Sequence, residues 1–94
     1  MVVHTMPAIL RIEPPYPVEQ VVTVDDHALR VAIEWPVIQH LANALAPDAA
    51  AVRAVLHEKR LEIERTIKAH LFAHGLPLSG ELALSLGDFR AAPH

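Results

Sequence analysis

Ninety-four residues, 52% of them hydrophobic and 20% charged, describe one small globular domain (residues 1–94) whose limited core leaves apolar side chains for a partner to cover. The absence of cysteine excludes disulfide scaffolds, thiolate catalysis and Cys-based zinc sites. A net charge of −3 argues against bulk nucleic-acid affinity, and the lack of any long apolar run or signal-peptide pattern sets the expectation of a cytoplasmic protein with no membrane partner.

Residues 1–7 show no periodicity and are expected to be flexible, as is the tail 91–94. The stretch 8–13 (AILRIE) alternates weakly and fits an edge strand. Pro14, Pro15 and Pro17 end it, because proline offers no ladder N–H and restricts the residue before it. The clearest strand pair is 20–24 (QVVTV) with 28–33 (ALRVAI), joined by Asp25, Asp26 and His27. Leu29, Val31 and Ile33 share one face and Arg30, Ala32 and Glu34 the other, so the sheet is covered on one side only.

Trp35-Pro36 opens a short helix predicted over 36–45, with Val37, Ile38, Leu41 and Leu45 as its buried stripe. Ala46-Pro47 ends it. A single long amphipathic helix is then predicted over 47–77. Asp48 is its N-cap. Val52, Val55, Leu56, Lys59, Ile63, Ile67, His70 and His74 fall on the core-facing stripe, within about 60° of Val52. Leu61 and Phe72 lie together on the far side and form a second apolar line. Gly75 is the expected left-handed stop, Leu76 folds back onto the last turn, and Pro77 prevents continuation. After a turn at Ser79-Gly80, 81–86 (ELALSL) alternates as a half-buried strand joining the hairpin. Gly87-Asp88 ends it and Phe89 docks once more.

A hairpin strand ending in IEWPVIQHLA, a helix containing KRLEIE and ending in glycine, and a strand closing with LSLGDF together resemble the short bacterial proteins of domain-of-unknown-function family 1488. The residues that carry the resemblance are Arg60, Ile63, Glu64, Asp88 and Phe89. Leu56 and His70 stand where the family has an aromatic residue and a lysine. The resemblance implies a small α+β fold and transfers no catalytic residue.

His70 and His74 have the i,i+4 spacing that can present two imidazoles to a metal, with His40 or Asp88 to be found as a third ligand. No glutamate of the HExxH kind lies between them, and both fall on the core-facing stripe near a helix C-terminus, where an imidazole can meet a free carbonyl. They are therefore read as core residues that form a polar site at most, with no metal expected. Arg53, Lys59, Arg60, Arg65 and Lys68 are nearly cancelled by Asp48, Glu58, Glu62 and Glu64 and read as a solvated face. Lys59 is expected to run its methylenes along the core and place its charge at the rim. Asp25 and Asp26 are ordinary turn formers, and Ser79 and Ser85 lack an identifiable base. Trp35 reads as a plug at the strand-to-helix corner or as an anchor for a partner.

The expected fold is α+β: a small antiparallel sheet of three to four strands, with one short and one long helix packed on one face, in the order (β)ββααβ. No cofactor and no enzymatic activity are expected. The functional expectation is a small interaction or accessory module that self-associates or binds a protein partner through Leu61, Phe72, Trp35 and the strand edges. The alternative is a ligand sensor with a pocket near His70, His74 and Trp35.

Overall fold

The computed structural model describes residues 2–13 and 16–91. Four strands and four helices run in the order β1 (Val3–Arg11), β2 (Val18–Val24), β3 (His27–Ile33), α1 (Trp35–Ala42), α2 (Ala49–Glu58), α3 (Arg60–His74), β4 (Glu81–Leu84) and α4 (Leu86–Ala91). The α+β class holds. The strands lie in the order β1-β2-β3-β4, with β1, β2 and β3 antiparallel.

The hairpin of β2 and β3 closes through two residues, Asp25 and Asp26, both at positive φ (48° and 70°). Two such residues in succession match the right-handed twist of the flanking strands. Buried and less buried residues alternate along β2, and Leu29, Val31 and Ile33 are buried while Arg30 is exposed. This places one sheet face in the core and the other toward solvent, as the period of two requires.

Several local expectations are corrected. Residues 3–7 are not a frayed end: they belong to β1, with Val3 opposite Val24, His4 opposite Thr23 and Thr5 opposite Val22. Of the tail expected to be flexible, 92–94 lie outside the described residues. β4 joins β3 in parallel, Arg30 facing Glu81 and Ile33 facing Leu84, so the sheet is mixed. The connection from β3 to β4 carries three helices, the kind of long crossover that parallel neighbours need. The last strand also stops at Leu84, and the chain turns directly into α4, which buries Phe89 to 3% exposure.

The short helix ends three residues early. Asn43 takes the left-handed conformation (φ 52°, ψ 45°), and the Ala44 N–H donates to the Gln39 carbonyl at 3.1 Å, closing the helix in the manner of a Schellman turn. Leu45 consequently leaves the stripe and is 87% exposed. The predicted long helix is two helices. Lys59 departs from helical geometry (φ −99°, ψ 13°), although its N–H still donates to Val55 at 2.8 Å and its carbonyl still accepts from Ile63 at 3.0 Å. The kink falls at the stripe position that carries a charge, and there Lys59 is exposed instead of lying along the core.

Of the other stripe positions, Val52, Val55, Leu56, Ile63 and Ile67 are buried in the common core, as is the neighbouring Leu71, whereas His70 is only half-buried and His74 is exposed. Asp48 caps α2, its carboxylate accepting from the Ala51 N–H at 2.8 Å. Thr66 is also buried, at 1% exposure; its hydroxyl donates to the Glu62 carbonyl at 2.8 Å, which is how a hydroxyl enters a core without a lost hydrogen bond. Gly75 has the expected positive φ (77°) with an extended ψ (175°), and Leu76 stays 54% exposed instead of folding back.

Candidate functional site

Two clusters gather the residues singled out in the sequence. The first lies where α3 meets the start of α4. Ser85 immediately precedes α4, and Asp88 one turn later reaches back: its Oδ2 accepts from the Ser85 N–H at 2.8 Å and from the Ser85 hydroxyl at 3.0 Å. This is a capping-box arrangement, in which a first-turn carboxylate satisfies an otherwise free donor and sits at the positive end of the helix. The other oxygen, Oδ1, lies 3.2 Å from Nδ1 of His70 on α3. His74 follows one turn later, its ring centroid 4.6 Å from that of His70.

Burial alone raises the Asp88 pKa. The Ser85 N–H, then the His70 ring and the Ser85 hydroxyl, outweigh it and hold the carboxyl below the ordinary aspartate value. A carboxylate so stabilised is a poor general base. Asp88 also stands between the serine and the histidine, so the imidazole does not receive the serine proton as nucleophilic catalysis would require. His70, which the stripe placed in the core, is half-buried with its ring on Asp88, and His74 is exposed. His40 lies on α1, exposed. Among the described residues no three His, Asp or Glu side chains converge to hold a metal. What this cluster does is tether α4 to α3.

The second cluster is the outward line of α3. Leu61 is 59% exposed and Phe72 72% exposed, and Arg65 and Lys68, also exposed, stand between them at the i, i+4, i+7, i+11 spacing of one helical face. Leu61, Glu64, Arg65 and Lys68 form one wall of a groove of about 320 Å³ whose other wall is Val2 and Val3 at the start of the sheet. Trp35 does not join this surface. It is buried to 9% exposure at the start of α1, which is the corner-plug position. Other grooves, of about 290 to 310 Å³, are lined by residues other than His70, His74 and Trp35.

The sequence pointed to Leu61 and Phe72, whereas its basic residues read as dispersed. The same 100° spacing that aligned the two apolar residues also aligned Arg65 and Lys68, so that signal was present. The Ser85-to-Asp88 cap was likewise visible as an S-x-x-D motif.

No family model matches the chain, and no curated protein matches it by sequence. By structure it is similar to a solved protein of unknown function from the DUF1488 family of Shewanella loihica PV-4. The TM-score is 0.68 at 11% identity, over 87% of this chain and 90% of that one. The resemblance drawn from IEWPVIQHLA, KRLEIE and LSLGDF is therefore matched at the level of the fold.

Proposed function

We propose that the chain is a bacterial, cytoplasmic member of the DUF1488 family and a small interaction module without enzymatic activity, which self-associates through the outward line of α3. The observation that carries this reading is the alignment of Leu61 and Phe72, both among the exposed large apolar residues, on one helical face of α3. Covering each stabilises a complex by an amount on the order of 1.5 to 3 kcal/mol before the cost of association. The fold shared with a DUF1488 protein supports the family assignment, and no helix among the described residues is long and apolar enough to cross a membrane.

Light scattering at concentrations on the order of tens of micromolar should report more than one copy for the parent chain and a monomer for the double variant Leu61→Glu/Phe72→Glu, with melting unchanged. A monomeric parent removes self-association. The ligand-sensor alternative has only the paired rings of His70 and His74 in its favour.

A further inference from the structure

β1 ends the sheet, with β2 on one side and, among the described residues, no strand on the other. The Val2 carbonyl accepts from the Asp25 N–H at 3.0 Å, and the Val2 N–H donates to the Asp25 carboxylate at 2.7 Å. Successive residues of a strand turn their backbone groups to opposite sides. Val3 and Thr5 therefore direct theirs away from β2, to the open edge. Pairing is regular from Val3 to Thr5 and shifts between Thr5 and Ile9 and again before Arg11, with Pro7 inside the shifted part. Bulges and proline are how an edge is blunted against pairing. The blunting covers the second half of β1 and spares the first.

The groove formed by Val2, Val3 and Leu61, with Glu64, Arg65 and Lys68, opens beside this spared segment. We propose that it takes an extended strand of a partner protein, added to the edge of β1, that carries an apolar residue and, two positions away, a carboxylate. A residue placed opposite Val3 shares its sheet face, which is the face Val3 buries, and so enters the groove against Leu61. The next residue on that face lies about 7 Å further on, close to the roughly 6 Å rise that separates Leu61 from Arg65. A carboxylate there meets Arg65 and Lys68, two cations against the one carboxylate of Glu64 in the same groove. β1 itself has no acidic residue from Val3 to Arg11, so a second copy adding its own β1 would leave these cations unmatched. That difference selects a partner strand. The inference goes beyond self-association and does not rest on it; because both use Leu61, a second copy on the outward line of α3 competes with the partner strand.

The test uses the full chain, labelled for amide NMR, and a capped peptide of sequence Thr-Val-Thr-Leu-Thr-Glu-Thr-Val-Thr, with a control in which Lys replaces Glu. The Glu peptide should shift and protect the Val3 and Thr5 amides. Affinity should fall by about tenfold or more for the Lys peptide and for Arg65→Ala/Lys68→Ala, which lose a charge-assisted hydrogen bond, and for Leu61→Glu, which removes the apolar contact and sets a carboxylate against the peptide's own. Leu61, Arg65 and Lys68 are exposed, so these variants fold, which their melting curves verify. Equal affinity for the two peptides overturns the proposal. So does silence of the Val3 and Thr5 amides at millimolar peptide, or a response of those amides only to a second copy of the chain.

Discussion

Replacing Asp88 with asparagine tests whether the tether between α3 and α4 holds the C-terminal helix in place. The carboxylate accepts from the Ser85 N–H at 2.8 Å, from the Ser85 hydroxyl at 3.0 Å, and pairs with His70 at 3.2 Å. A hydrogen bond to a charged group contributes about 1.5 to 3 kcal/mol, and a negative charge in the first turn of a helix adds about 0.3 to 1 kcal/mol. Asparagine keeps one acceptor oxygen and loses the charge, so Asp88→Asn should cost about 1 to 2 kcal/mol. For a chain of this length that is a fall in Tm of about 4 to 16 °C. The sign of the pH dependence follows from the lowered pKa of Asp88. The folded-state pKa lies below the unfolded one, so the stabilisation is complete above the unfolded value and is lost as pH falls through the folded value. Asparagine does not titrate, and the gap between parent and variant should therefore close in acid. Urea unfolding followed by circular dichroism, from neutral pH downward, measures both quantities. A variant as stable as the parent at neutral pH, or a gap that stays constant into acid, refutes the tether.

Ile63 is 1% exposed at mid-stripe of α3. Ile63→Asp removes about 1.5 to 3 kcal/mol of burial and adds the larger cost of a buried carboxylate, against a total stability on the order of 5 to 15 kcal/mol. It should be unfolded, and a soluble, cooperatively melting Ile63→Asp would contradict the orientation of α3. Asp26 holds φ 70°, a conformation costing a non-glycine residue about 1 to 2 kcal/mol, so Asp26→Gly should raise Tm by several degrees in calorimetry. Asp25 does not qualify for the same change, since its side chain accepts from the Val2 N–H. Leu45 at 87% exposure and Leu41 at 9% separate the two descriptions of how the short helix ends. Leu45→Ser should leave stability within about 0.5 kcal/mol, while Leu41→Ser should cost about 2 kcal/mol or more by the same denaturation assay.

Periodicity is a property of neighbouring residues, and what depended on it was legible in the chain alone. The alternation of Leu29, Val31 and Ile33, the stripe through Val52, Ile63 and Ile67, and the outward line of Leu61 and Phe72 follow from two periods, 2.0 and 3.6 residues, and the cap at Asp48 follows from local hydrogen-bond chemistry. These features are local, and the structure keeps them. The resemblance to DUF1488 proteins rested on the same segments and reached the right fold.

Tertiary structure decided what depends on which distant group is available. Residues 3–7 have no pattern of their own and become a strand because the edge of β2 offers them hydrogen bonds from Val22 to Val24. Glu81–Leu84 reads as a strand in isolation, but its direction comes from the three-helix crossover that returns it beside β3. Lys59 sits on an apolar stripe that an unbroken helix would bury, and the kink moves it to solvent. His70 meets Asp88 across 18 residues of sequence, and the Leu61 groove exists because Val2 and Val3 lie against α3. Long-range pairing and burial set these features, and neither is encoded in the spacing of a single segment.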